Sequence, residues 1–207
     1  LLNNSYTWGT PTATCPKQFS WSEAFHVPLT KVSDEACYGE FTSLREVMTE
    51  FAAAMSKLAR LLAGVLTENL GHGKEVIDNI CDESTCFLRL NHYPACPISP
   101  EISGLAWSND VYKSVEHKVV TNAKMERYSI AYFLCPSFDS SIGSFREPSV
   151  YRKFTFREYR DQVQEDVRKT GYKVGLPRFL LKGTEDFTRS NKESNTRLYI
   201  PSITANS

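Results

Sequence analysis

Long hydrophobic stretches and an excess of either charge are both absent from this chain of 207 residues. No run of eighteen apolar residues occurs, which argues against a transmembrane helix. Lysine and arginine together number 24, as do aspartate and glutamate, so no overall basic field favours nucleic acid or an anionic membrane. The chain starts at Leu1 without the charged and apolar regions of a signal peptide. We therefore expect a cytoplasmic protein that binds neither nucleic acid nor membrane.

Closely spaced cysteine pairs are also missing. The six cysteines stand at irregular intervals, and the two nearest, Cys81 and Cys86, have four residues between them. Without a Cys-x-x-Cys pair or a nearby histidine partner, the pattern does not indicate a zinc site. We interpret the cysteines as free thiols in a reducing cytosol.

The histidines lack the acidic partner that a common class of iron site requires. None of the four has an aspartate or glutamate two positions further along the chain. They are His26, His72, His92 and His117. No pair of this spacing is therefore available to supply a histidine and the carboxylate of a facial iron(II) site.

Aromatic residues are plentiful, and the longest regular pattern in the chain is helical. The twelve phenylalanines, ten tyrosines and three tryptophans make a packed core feasible. Ser43-Leu-Arg-Glu46 matches a capping box, and Gly71 is a typical helix stop. Together they predict one long helix over about 43–70, whose apolar stripe we expect to face the core. The stripe comprises Leu44, Val47, Met48, Phe51, Met55, Leu58, Leu62, Val65 and Leu66.

Shorter elements are expected after Gly73. The patterns predict a short helix through Ile80, strands over about 86–93, 111–121 and 127–135, and a charged amphipathic helix over about 155–168. Residues 94–106 and 136–149 have loop compositions. The polar sequence 182–207 predicts a disordered tail.

His117 lies in one of the predicted strands. Alternation places it on the same face as two valines, while Glu116 points to the opposite face. A histidine between valines is often a core residue, so the residues alone leave open whether His117 is a metal ligand.

Arg127 and Ser129 share a face of the next predicted strand. A guanidinium that points into an apolar interior requires an anionic partner. A dicarboxylate would supply one, with the serine hydroxyl beside the guanidinium and the phenol of Tyr93 as a further donor. An internal salt bridge would satisfy Arg127 equally well, so both alternatives stay open at this point.

Seven stretches carry a more specific signal. They are Tyr6-Thr-Trp-Gly9, Phe19-Ser-Trp-Ser-Glu-Ala-Phe-His26, Leu88-Arg-Leu-Asn-His-Tyr-Pro94, Trp107-Ser-Asn-Asp-Val-Tyr-Lys-Ser-Val-Glu-His117, Glu126-Arg-Tyr-Ser129, Phe154-Thr-Phe-Arg-Glu-Tyr-Arg160 and Lys173-Val-Gly-Leu-Pro-Arg-Phe179. With them, nearly all of residues 1–181 resembles the plant Fe(II)/2-oxoglutarate-dependent dioxygenases. The stretch 19–26 is similar to the gibberellin 2-oxidases in particular.

The resemblance implies an α+β fold, a double-stranded β-helix (jelly roll) with flanking helices. It implies that residues 1–85 form the N-terminal flanking part, truncated at its start. Residues 86–181 would form the jelly-roll oxygenase part, and 182–207 the tail.

The resemblance also implies a site and an activity. His117 would be the distal iron ligand, Arg127 and Ser129 would hold the far carboxylate of 2-oxoglutarate, and Asn91 and Tyr93 would line the same pocket. The cofactors would be Fe(II) and 2-oxoglutarate, with ascorbate in a supporting role. The substrate would be a gibberellin-type small molecule, hydroxylated at its second carbon so that the hormone is inactivated.

The sequence departs from the family where the other two iron ligands belong. In the family, the counterpart of Gly104-Leu105 is followed by a His-x-Asp pair and several strands, and only then by the segment that begins here at Ala106. The chain passes directly from Leu105 to Ala106. We therefore expect an incomplete jelly roll and a catalytically inactive chain. The alternatives are a truncated isoform that binds a partner, such as a full-length homologue, and an unstable splice or gene-model product.

Overall fold

The computed structural model describes residues 5–9, 22–94, 101–102, 117–118, 124–170 and 174–181. Eight strands lie in these residues: β1 (Tyr6–Trp8), β2 (Glu23–Pro28), β3 (Phe87–Tyr93), β4 (Glu101–Ile102), β5 (His117–Lys118), β6 (Arg127–Phe133), β7 (Ser141–Ile142) and β8 (Phe154–Thr155). The main sheet has four antiparallel strands in the order β1-β2-β3-β6. Two separate ribbons pair β4 with β5 and β7 with β8.

Three α-helices accompany the strands: α1 (Thr42–Asn69), α2 (Glu75–Ile80) and α3 (Phe156–Thr170). Short 3₁₀ turns lie at Leu29–Lys31, Glu35–Cys37 and Leu176–Phe179. In the part of the chain that the structure describes, no helix is both long enough and apolar enough to cross a membrane.

The two ends of α1 test the local signals in the sequence. The capping-box prediction is wrong, because the helix begins at Thr42, its N-cap is Phe41, and no side chain caps it. Ser43 therefore lies inside the first turn. The predicted stop at Gly71 is confirmed: its φ is +84°, its N–H donates to the carbonyl of Glu68, and the next N–H donates to the carbonyl of Thr67. These bonds form a Schellman motif.

The apolar stripe predicted to face the core is mostly on the outside of α1. Met48 is buried, but Val47 is 63% exposed and Leu62 is 56% exposed. Apart from Met48 and Phe51, α1 packs through small residues. Its first half contacts the sheet through Ala52, and its second half lies so close to α2 that a Cβ added at Gly64 would stand 3.1 Å from the Cβ of Lys74.

The two faces of the main sheet differ in chemistry. One face packs on α1 and contributes the buried side chains of Val27 and Leu88, with Leu90 and Tyr132 partly buried beside them. The other face carries the odd-numbered residues of β3 and β6, which include Arg89, Asn91, Tyr93, Arg127 and Ser129. We call this second surface the polar face.

A second core fixes the C-terminal part of the described chain. Ile142, Tyr151, Phe154 and Phe179 are buried together beside α3. The ring centroids of Phe154 and Phe179 lie 4.2 Å apart. This aromatic cluster holds the β7–β8 ribbon and α3 next to each other.

Most predicted elements of the sequence are confirmed. β3, β6, α2 and α3 lie within a few residues of their predicted ranges. β2 was missed, although its residues pair with β3 over its full length. Of the strand expected over 111–121, only β5 is among the described residues. The predicted tail 182–207 lies outside them, and the domain boundary at 85–86 stays a prediction.

Candidate functional site

The pairing of β3 with β6 brings together the four residues predicted to bind a dicarboxylate. Asn91 lies opposite Ser129, and Tyr93 lies opposite Arg127. Residues directly opposite each other in an antiparallel pair share a face, and so do residues two apart in one strand. The four side chains therefore form one patch at the end of the polar face.

The contacts within this patch are those of a donor-rich surface. Asn91 Nδ2–H donates to Ser129 Oγ at 3.3 Å, and the Arg127 guanidinium carbon lies 5.4 Å from the centre of the Tyr93 ring. Arg127 is exposed, and no carboxylate among the described residues lies within ion-pair distance of it. The internal salt bridge that the sequence left open is thus not seen in the described part of the chain.

Arg89 belongs to the same face and was missed in the sequence analysis. Its Nε–H donates to Asn91 Oδ1 at 2.9 Å. The signal that could have revealed it is the two-residue period of a strand, which places residues 89, 91 and 93 on one face. The polar face thus carries two guanidinium groups rather than one.

Stacked rings lie at the end of the polar face that is opposite to Tyr93 and Arg127. His26 stacks on Phe87 with 4.0 Å between ring centroids, and Phe87 stacks on Phe133 at 4.5 Å. Burial lowers the pKa of His26, and the charges of Arg89 and Arg160 lower it further. The lowered pKa favours the neutral form of His26, so the positive charge on this face comes from its arginines.

His92 points to the opposite side of the sheet. Its Nδ1 lies 2.8 Å from Glu23 Oε2 and its Nε2 lies 2.9 Å from Glu126 Oε2, and its ring stacks on Tyr128 at 4.6 Å. Hydrogen bonds to Glu23 first and Glu126 second raise the pKa of His92, and the bond to His92 lowers the pKa of Glu23. Both ring nitrogens of His92 thus have carboxylate partners.

The iron site receives no comparable support. For His117 the structure describes the backbone pairing with Ile102 in the β4–β5 ribbon. Within the described ranges, no group of three or more histidine, cysteine, aspartate or glutamate residues is placed to hold a metal ion. Glu116 lies outside the described residues. The structure thus describes donors only for the predicted carboxylate-binding residues, and His117 as an iron ligand stays a prediction.

The four cysteines in the described residues carry no disulfide, as expected. They are Cys37, Cys81, Cys86 and Cys135. Burial raises the pKa of the Cys81 thiol to about 11 and that of the Cys135 thiol to about 12. Thiols with such pKa values stay protonated at neutral pH and are poor nucleophiles.

Comparison with protein families and curated proteins gives consistent matches. Residues 98–136 match the 2OG-Fe(II) oxygenase superfamily. The chain is 47% identical over 234 residues to gibberellin 2-beta-dioxygenase 6 of Oryza sativa subsp. japonica, covering 86% of this chain and 65% of that protein. It is 33% identical over 228 residues to gibberellin 2-beta-dioxygenase 7 of Arabidopsis thaliana, covering 87% and 67%. The chain thus spans about two thirds of the length of these relatives.

Solved structures give the fold. The crystal structure of JOX2 in complex with 2OG, Fe and JA is 24% identical, with a TM-score of 0.61, and the match covers 79% of this chain and 65% of that one. The full-length Neurospora crassa T7H in complex with alpha-KG is 18% identical, with a TM-score of 0.57, and the match covers 69% of each chain. At these identities the likeness shows the fold alone, and it confirms the expected jelly-roll relationship of this mixed α and β chain.

Proposed function

Because this chain belongs to the gibberellin 2-oxidase-like 2OG-Fe(II) oxygenases, we propose that its polar face binds the distal carboxylate of 2-oxoglutarate. One observation carries the proposal. The register of β3 with β6 places Arg127, Ser129, Asn91 and Tyr93 in one patch, and no described carboxylate pairs with the arginine.

The patch suits a carboxylate for physical reasons. The guanidinium of Arg127 presents two parallel N–H groups, a geometry that matches the two oxygens of a carboxylate. The Tyr93 ring faces that guanidinium and limits its orientations. Ser129 adds a hydroxyl on the same face two residues away. A ligand with a carboxylate at the far end of a short chain therefore finds both charge and directional donors.

We further propose that the full-length form of this protein hydroxylates a gibberellin-type substrate, and that the chain with this sequence is catalytically inactive. The relatives that support the first statement are named gibberellin 2-beta-dioxygenases. The second rests on the absence of any His-x-Asp or His-x-Glu pair in the sequence. A lone His117 does not satisfy the coordination that iron(II) needs for this chemistry.

The lengths of the alignments support a gap in this chain relative to its relatives, and we propose that the gap lies at Leu105–Ala106. The match to the rice protein runs over 234 aligned positions, whereas 86% of 207 residues is about 178. About 56 aligned positions of the relative therefore face no residue of this chain. Such a gap is long enough to contain the His-x-Asp pair and several strands, which in folded proteins are about five to six residues each.

Two measurements on the purified chain test these proposals. Calorimetric titration with 2-oxoglutarate should show binding at one site, and its absence would refute the carboxylate site. Titration with Fe(II) under anaerobic conditions should show no stoichiometric binding, and no succinate should form when 2-oxoglutarate and oxygen are added. Stoichiometric iron or succinate formation would refute the proposed inactivity.

Sequencing of full-length transcripts across the Leu105–Ala106 junction tests the missing segment directly. If every transcript carries an intervening segment with His-x-Asp, the catalytic protein is the longer form. If transcripts confirm the direct junction, this chain exists without its iron site. Association with a full-length homologue stays a prediction, and co-purification of the two chains would test it.

A further inference from the structure

We propose that Arg89 is a positioning residue that orients the amide of Asn91 and, through it, the hydroxyl of Ser129 toward the bound carboxylate. The inference rests on the proposed function of the polar face and assigns a role to a residue outside the Arg127–Ser129 pair. The three side chains form a relay, in which Arg89 Nε–H donates to Asn91 Oδ1 at 2.9 Å and Asn91 Nδ2–H donates to Ser129 Oγ at 3.3 Å.

The first step of the relay fixes which way the Asn91 amide points. A guanidinium has only donors, whereas a side-chain amide has one acceptor oxygen and one donor nitrogen. The group that faces Arg89 Nε must therefore be the amide oxygen. This settles the orientation of an amide that could otherwise be reversed at little cost.

The second hydrogen bond of the relay determines whether the Ser129 hydroxyl can donate to the ligand. With its oxygen facing Arg89, the Asn91 amide turns its NH₂ group toward Ser129 Oγ, which accepts the hydrogen bond. The hydroxyl hydrogen of Ser129 is then free to be donated to a carboxylate oxygen held by Arg127. With the amide reversed, its oxygen would accept that hydrogen and present a lone pair where the ligand needs a donor.

The surroundings of Arg89 suit this role. Its cross-strand neighbour on β6 is Ala131, whose small side chain leaves room for the guanidinium on the polar face. Its neighbour on β2 is His26, whose pKa is lowered by burial first and then by Arg89 and Arg160. A neutral imidazole does not repel the guanidinium, so Arg89 can remain against Asn91 at neutral pH.

A mutant cycle on the full chain tests the relay through ligand affinity. Arg89→Met should weaken binding of 2-oxoglutarate about tenfold, the loss expected for one hydrogen bond to a charged group. In a Ser129→Ala background the same change should have less than about a twofold effect, because the hydroxyl it orients is gone. Arg168→Met, which removes an exposed arginine at the end of α3, is the matched control and should leave affinity unchanged.

A second ligand separates orientation from simple attraction of anions. 2-Oxopentanoate lacks the distal carboxylate, so Arg89→Met should not alter its binding. Equal losses for both ligands, or equal losses with and without Ser129, would mean that Arg89 acts by charge alone and would overturn the inference. If Arg89→Met does not fold, Asn91→Ala breaks the same relay, and an unchanged affinity in that variant would overturn it as well.

A measurement without ligand keeps the inference distinct from the proposed function. Hydrogen exchange of the Arg89 Nε–H, followed by NMR, should be slowed in the unchanged chain and faster in Asn91→Ala. Failure of the chain to bind 2-oxoglutarate would refute the carboxylate site, while this exchange experiment would still decide on the relay. Equal exchange rates in the two proteins would overturn it.

Discussion

Replacement of Arg127 by methionine is the sharpest test of the polar face. The guanidinium is exposed, faces the Tyr93 ring and has no described carboxylate partner, so its loss should leave the fold intact. Methionine keeps the length of the side chain and removes both the charge and the paired donors. We expect the variant to unfold at the same temperature as the unchanged chain and to bind 2-oxoglutarate much more weakly.

The expected loss follows from the contacts that Arg127 can make. Two hydrogen bonds from a guanidinium to a carboxylate are each typically worth about 1.5–3 kcal/mol when shielded from solvent. Because Arg127 is exposed to solvent, we expect the two hydrogen bonds together to contribute about 2 kcal/mol to binding. That free energy corresponds to a dissociation constant about 30-fold higher.

Calorimetric titration of 2-oxoglutarate into the unchanged chain and three variants tests this prediction. Arg127→Met should show the full loss, and Arg127→Lys should show a smaller one because an ammonium keeps the charge without the paired geometry. Arg168→Met again serves as the matched control. If Arg127→Met bound 2-oxoglutarate as tightly as the unchanged chain, the carboxylate site would lie elsewhere, and the assignment of this face would be refuted.

Three further predictions concern stability and charge. Leu88 is fully buried in the main core, so Leu88→Ala should lower the free energy of unfolding by about 2–5 kcal/mol. Leu61 is 63% exposed on α1, so Leu61→Ala should change that free energy by less than about 0.5 kcal/mol. Urea denaturation measures both variants, and equal midpoints would contradict the described packing. Gly71→Ala should cost about 1 kcal/mol in the same assay through its φ of +84° alone, because an added Cβ would meet nothing within 4 Å. The pKa of His92, followed by NMR, should lie above 6.5, and Glu23→Gln should lower it, while an unchanged value would exclude the pair. The contribution of His92 to stability is fully present below its ordinary pKa of 6.5 and is lost as the pH rises through its raised pKa in the folded protein. The contribution of Glu23 to stability is present above its ordinary pKa of 4.5 and is lost as the pH falls through its lowered pKa in the folded protein.

Local sequence patterns determined several elements correctly because they depend on neighbouring residues. The length of α1 follows from helical periodicity, and its end follows from the need for a residue that tolerates positive φ at Gly71. The shared face of Arg127 and Ser129 follows from the two-residue period of a strand. The absence of a His-x-Asp or His-x-Glu pair from this sequence is likewise visible in the order of residues alone.

Contacts between distant segments could not be predicted in this way. The prediction of a capping box at Ser43 was wrong because the helix follows a backbone turn, in which the N–H of Phe41 donates to the carbonyl of Tyr38, and no side chain caps it. The prediction that the apolar stripe of α1 faces the core was mostly wrong. Helical periodicity identifies an apolar face of a helix, but it does not show what packs against that face. In the structure only Met48 and Phe51 of the stripe belong to the main core cluster, and the small residues Ala52 and Ala63 make the other contacts.

The sequence by itself determined the family resemblance, the main helices, the strands β3 and β6, and the residue types of the proposed carboxylate site. Only the tertiary structure decided that β2 lies beside β3, that Asn91 meets Ser129 across 38 residues of chain, and that Arg89 joins them. The physical reason is that secondary structure and side-chain alternation are set by short-range sterics and hydrogen bonds. Strand register is set by long-range pairing, which the order of residues along one strand does not specify.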